Sequence, residues 1–157
     1  MTCRAAGPVT HFAGPNQFAY WKASTVSSIH ATRARSRVLL VDDNPALRQL
    51  IEDILVLDGF DVLQTSTGVG LVELVRNEHP DLVLLDQIME PVRGLEALQQ
   101  LRADGEQVPI VMVTADTRVE TIEAALNAGA DDYVAKPFTE SILLAHIKAV
   151  LRRVNRN

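Results

Sequence analysis

The chain has 157 residues, 47% hydrophobic and 22% charged, enough for one globular domain with a proper core. Its net charge of −5 is uneven: residues 1–37 carry five basic side chains and no acid, leaving residues 38–157 with ten basic against twenty acidic, a net of −10. That balance argues against a nucleic-acid surface, a single cysteine (Cys3) excludes an intrachain disulfide and suits a reducing, cytoplasmic setting, and no apolar run is long enough to span a membrane.

Residues 1–35 show no period and are expected to form a disordered N-terminal extension, with Phe18, Tyr20 and Trp21 also compatible with a short docking segment. Residues 37–41 (RVLLV) read as a buried strand. Asn44-Pro45 then offers an N-cap followed by proline at the first helical position. Leu47, Leu50, Ile51, Ile54 and Leu55 follow at helical spacing, and Gly59 stops the helix. Residues 60–64 make a second strand, and 68–78 a helix with Leu71, Val72, Leu74 and Val75 apolar, ended by Pro80. Strand three covers 81–85, and a helix over 94–102 turns Leu95, Leu98 and Leu101 inward. Residues 108–113 (VPIVMV) form strand four, and 120–127 belong to a helix closed by Gly129. A fifth strand over 131–135 precedes a last helix, 138–154, with Ile142, Leu143, Ile147, Val150 and Leu151 apolar.

Strands alternating with helices on short connections predict an α/β fold, a doubly wound parallel sheet covered on both faces. Ligands of such sheets bind outside the carboxyl ends of the strands. Strand one ends on Asp42-Asp43, strand three on Asp86, strand four on Thr114, and strand five runs into Lys136. Taken singly, a strand-end aspartate is often an N-cap, a strand-end threonine reflects β-propensity, and a lysine before proline is a loop residue. Together they bring three carboxylates, a hydroxyl and an ammonium to one edge. Clustered carboxylates raise each other's pKa unless a hard cation neutralises them, and oxygen ligands of this kind suit Mg²⁺. A cation there lets an anionic carboxylate approach a phosphoryl group and accept it covalently. The chemistry points to phosphate acceptance on Asp86.

These residues resemble a response-regulator receiver domain of two-component signalling. The resemblance covers about 36–155 and rests on VLLVDDNP (38–45), LVLLD…M…G (82–94), VPIVMVTA (108–115) and AGADDYVAKPF (128–138). It implies a flavodoxin-like five-stranded sheet of order 2-1-3-4-5, with a receiver domain over 36–157. Asp86 matches the phospho-acceptor. Asp43 and the backbone carbonyl of Ile88 match direct Mg²⁺ ligands, together with Asp86, and Asp42 matches a ligand acting through water. Thr114 matches the switch hydroxyl, Lys136 the phosphate-contacting lysine, and Tyr133 the aromatic that moves inward with the hydroxyl. The Lys136-Pro137 bond is commonly cis in such proteins. The implied donor is a histidine kinase or histidine phosphotransfer protein. The implied output is a protein target bound on the face of helix four, strand five and helix five, with no direct contact to nucleic acid or membrane.

The loop after Asp86 departs from the family pattern. Glu90 takes the usual proline position, Pro91 follows it, and Arg93 stands where an aspartate is usual before Gly94. Rival folds lack their phosphate loops: VDDN after strand one is wrong for a flavin-phosphate loop, no G-x-x-x-x-G-K exists, and adjacent aspartates are not the D-x-D of haloacid-dehalogenase-like phosphatases. The alternative of another class is a receiver-shaped interaction module that never sees phosphate. The chain is expected to act as a switch and not as an enzyme, either alone or as a receiver excised from a larger regulator or hybrid kinase.

Overall fold

The computed structural model describes residues 35–154, so the readings made for the N-terminal extension lie outside the described residues. In chain order the elements are β1 (Arg37–Val41), α1 (Pro45–Leu57), β2 (Asp61–Thr65), α2 (Leu71–Glu78), β3 (Leu82–Asp86), α3 (Gly94–Ala103), β4 (Ile110–Thr114), α4 (Val119–Asn127), β5 (Asp132–Ala135) and α5 (Glu140–Val154). The five strands form one sheet of order β2-β1-β3-β4-β5, parallel throughout, as the α/β reading requires. No helix among the described residues is long and apolar enough to cross a membrane.

Alternation along the strands divides the core into two layers. Val38, Leu40, Leu82, Leu84, Val111 and Val113 pack with α1 and α5 through Ile51, Leu55, Leu143 and Ile147. Leu39, Val41, Val83, Leu85, Ile110 and Met112 pack on the other side with α2 and α3 through Leu71, Val75, Leu98 and Leu101. β3 and β4 are buried at every position, which explains their unbroken apolar runs.

Asn44 caps α1 as expected: its side-chain oxygen accepts from Ala46 N at 3.0 Å and Leu47 N at 3.1 Å. Several boundaries differ from the sequence reading. α2 begins at Leu71, not 68, because Gly70 adopts a left-handed φ of 71° immediately before it. α5 begins at Glu140, where Thr139 Oγ1 accepts from Ile142 N at 3.3 Å. Leu50 and Ile142, apolar residues that fit the helical spacing, are 53% and 49% exposed. Each sits one residue before a buried position, about 100° around its helix from the sheet-facing stripe.

Arg102 ties the amino-edge turns together. Its guanidinium donates to the carbonyls of Glu106 at 2.7 Å, Val108 at 3.0 Å and Gly129 at 2.9 Å, and lies 3.4 Å from Asp131 Oδ2. That carboxylate oxygen also accepts from Ile110 N at 2.8 Å, which fixes the start of β4. Arg102→Met, which strands three carbonyls and a carboxylate, is expected to cost about 2–4 kcal/mol by urea denaturation with an unchanged m-value.

Candidate functional site

Strand register builds the site as a staircase. Val41 pairs with Leu85, so Asp42 lies level with Asp86; Asp86 pairs with Val113, placing Thr114 one step further; Thr114 pairs with Ala135, placing Lys136 beyond it. By alternation Asp42, Asp86 and Lys136 belong to the α1–α5 side, whereas Thr114 and Tyr133 belong to the side of α2, α3 and α4, where Tyr133 packs. One carboxyl edge thus carries an acidic cluster on one side and a hydroxyl–aromatic pair on the other.

Asp42 is 1% exposed, Asp86 5% and Thr114 3%, while Asp43 is exposed. Carboxylate oxygens of Asp42, Asp43 and Asp86 lie within 4.8 Å of one another. Lys136 Nζ stands 3.1 Å from Asp42 Oδ2 and 3.1 Å from Asp86 Oδ1. Three carboxylates against one ammonium leave two negative charges, and every donor is oxygen, so the residues present fit a divalent hard cation. Asp42 is already occupied on both oxygens, since Oδ1 accepts from Asn44 N at 2.8 Å and Oδ2 from Lys136. Arg48, which the sequence reading passed over, donates to the Asp42 carbonyl at 2.6 Å and to Gln64 Oε1 at 3.1 Å, bracing the β1–α1 turn. Its only signal in sequence is a basic residue six positions after Asp42, on the first turns of α1.

Burial pushes the Asp86 carboxyl above the ordinary aspartate range, against the opposing pull of the Lys136 ammonium. The folded protein therefore holds this proton more tightly than the unfolded chain. Asp86 contributes stability below the ordinary carboxylate range, and that contribution is lost as pH rises through its raised value. In a carbon-detected NMR titration of the metal-free protein, the Asp86 carboxyl is expected to titrate above that of an ordinary aspartate. Titration at or below the ordinary value would contradict this.

The loop behind Asp86 is set by a close approach. A Cβ on Gly94 would stand 2.1 Å from the Asp86 carbonyl oxygen and 2.9 Å from Gln87 Cα, so only glycine fits there. Ile88 N donates to Asp86 Oδ1 at 3.3 Å, and the Ile88 side chain is 59% exposed. Both Lys136-Pro137 and Glu90-Pro91 are cis. Thr114 Oγ1 accepts from Asp116 N at 2.9 Å and faces the Asp116 carbonyl at 3.3 Å. The Asp116 carboxylate takes Arg118 Nε at 2.9 Å and Thr121 Oγ1 at 3.0 Å, and the Arg118 hydrogen bonds hold it well below the usual range. His146, to which the sequence reading gave no role, lies with Nδ1 2.8 Å from Asp132 Oδ2.

A doubly wound sheet with an acidic cluster, a shared lysine and a strand-end hydroxyl on its carboxyl edge defines a narrow class. Residues 38–148 match the response regulator receiver domain. The chain belongs to that family. It is 42% identical over 119 residues to response regulator MprA of Mycobacterium sp. (strain KMS), covering 76% of this chain and 52% of that protein. With response regulator MprA of Mycobacterium leprae (strain TN) it shares 43% over 117 residues, 74% of this chain and 51% of the relative. The chain thus spans about half the length of these relatives. Among solved structures, the CheY-like receiver domain protein of Methanospirillum hungatei JF-1 superposes with a TM-score of 0.73 at 30% identity, covering 78% of this chain and 98% of that one. The BeF3-activated N-terminal receiver domain of Klebsiella pneumoniae RstA gives a TM-score of 0.71 at 32% identity, with coverages of 74% and 99%. Receiver domains are signalling switches that bind Mg²⁺ at an acidic pocket, and response regulators are phosphorylated by histidine kinases.

Proposed function

We propose that this chain is a phospho-accepting receiver in which Asp86 takes a phosphoryl group from a histidine kinase or histidine phosphotransfer protein. The observation that carries this reading is the Lys136 ammonium 3.1 Å from both Asp42 and Asp86, with Asp43 beside them. An Asp86 carboxylate oxygen attacks phosphorus, the bond from phosphorus to the donor's imidazole nitrogen breaks, and the electron pair leaves with the imidazole. Asp43, Asp86 and the Ile88 carbonyl would hold Mg²⁺, which supplies charge neutralisation at the phosphoryl oxygens. Both Asp42 oxygens are engaged, which supports a contact through water and leaves exposed Asp43 as the direct ligand. Lys136 then follows the negative charge from Asp86 onto the phosphoryl group. Thr114 turns its hydroxyl to another phosphoryl oxygen, and Tyr133, on the same side of the sheet, moves inward.

The output is a change on the face of α4, β5 and α5. Val119 and Leu126 of α4 and Ile142 of α5 are exposed apolar side chains there, suited to a protein target. The setting proposed for this chemistry is the cytoplasm, with residues 36–157 as the receiver, acting alone or within a longer regulator. Wild-type protein incubated with Mg²⁺ and acetyl phosphate is expected to gain one phosphate by intact mass, and Asp86→Asn none. An unlabelled wild type, under conditions that label a control receiver, would leave only a phosphate-independent interaction module.

A further inference from the structure

Gln87 follows Asp86 directly and borders a groove of about 630 Å³ that Arg93, Asp116, Arg118 and Thr121 also line. Its amide oxygen Oε1 is the one buried side-chain polar atom without a hydrogen-bond partner among the described residues. The atom is shut off from solvent, although the residue as a whole is half-buried. A buried acceptor without a donor penalises the conformation that leaves it so.

Two of the donors bordering the same groove are engaged elsewhere. Arg118 Nε is held by Asp116 Oδ1 at 2.9 Å, and Thr121 Oγ1 by Asp116 Oδ2 at 3.0 Å. Of the two, the arginine is the one that compensates the Asp116 charge, so the Thr121 hydroxyl is the donor that can be spared. The same residue occupies the switch hydroxyl, because the Asp116 N–H donates to Thr114 Oγ1 at 2.9 Å. Thr114 cannot turn to a phosphoryl group on Asp86 without giving up that bond. Giving it up would release that tie between the loop from 114 to 118 and the strand end, and the loop leads into α4, where Thr121 lines the same groove as Gln87.

We propose that Gln87 is a positioning residue for the switch, its unpaired amide oxygen disfavouring the resting loop and receiving the Thr121 hydroxyl once Thr114 leaves Asp116. The inference rests on the reading of Asp86 as acceptor and Thr114 as the moving hydroxyl, and adds a bias built into the resting state.

Beryllofluoride, a phosphoryl mimic, tests it with Mg²⁺ present and binding followed by amide NMR. Gln87→Met keeps the side-chain length without the acceptor. It is expected to raise the Tm of the unliganded protein and weaken beryllofluoride binding about tenfold. In a Thr121→Val background the oxygen has no donor in either state, so adding Gln87→Met is expected to change affinity by no more than about twofold. Wild-type affinity in Gln87→Met, a lowered Tm, or equal effects in both backgrounds would overturn the proposal, and Gln87→Leu repeats the test should methionine pack poorly. Wild type that binds no beryllofluoride, where a control receiver does, would overturn the acceptor reading itself and this inference with it.

Discussion

Lys136→Met is expected to melt at a markedly lower temperature than wild type in EDTA and to regain much of that loss in Mg²⁺. The ammonium stands 3.1 Å from a carboxylate oxygen of Asp42 and of Asp86, which are 1% and 5% exposed. Without it, two buried carboxylates face each other with no cation between them. Breaking a buried pair from one side costs about 3–5 kcal/mol, and the lower end applies because Lys136 reaches the surface. A divalent cation bound only by the folded state adds stability in proportion to the logarithm of its concentration over its Kd. The variant site is one charge more negative, so it should hold Mg²⁺ more tightly and gain more from it than wild type does. Thermal melts followed by circular dichroism across a Mg²⁺ series would measure both effects. Equal gains in the two proteins, or no loss in EDTA, would contradict this account.

Gly94→Ala is expected to cost about 2–4 kcal/mol and to weaken Mg²⁺ binding, because the added methyl meets backbone and not a side chain that can swing aside. Its Cβ would lie 2.1 Å from the Asp86 carbonyl oxygen, so α3 must withdraw or the end of β3 must move. Either displacement acts on Asp86. Gly59→Ala supplies the control: φ there is 93°, but nothing lies within 4 Å of the new methyl. That change is expected to cost only the backbone strain of about 1–2 kcal/mol, with Mg²⁺ affinity untouched. Urea denaturation and a Mg²⁺ titration on both variants separate the two cases. Equal Mg²⁺ affinities in both variants would show that the contact does not position Asp86.

The sheet and its acidic edge were legible because each signal was local. Apolar runs marked the strands, and the residue that ended each run marked the carboxyl edge, so Asp42, Asp43, Asp86, Thr114 and Lys136 could be placed without coordinates. Leu50 and Ile142 misled, since an apolar residue beside a buried one satisfies helical spacing while facing solvent. Arg102 carried no signal and Arg48 only its place six residues after Asp42, because their partners are carbonyls and a side chain that only the folded chain brings near. Gln87 was hidden for the opposite reason. A polar residue in a loop is expected to meet water, and here its amide oxygen is buried.

The clip made by Arg102 bears on how α4 can move. It holds the carbonyl of Gly129, two residues past the end of α4, while the other end of that helix adjoins the loop carrying Asp116 and Arg118. A nine-residue helix about 13 Å long is thereby anchored at its foot, while its head is tied through Thr121 and Arg118 to Asp116 of that loop. Displacement of the loop becomes a tilt, large at Val119 and small at Leu126. A partner that gripped both residues would read an angle, and one that gripped only Leu126 would be nearly blind to such a displacement.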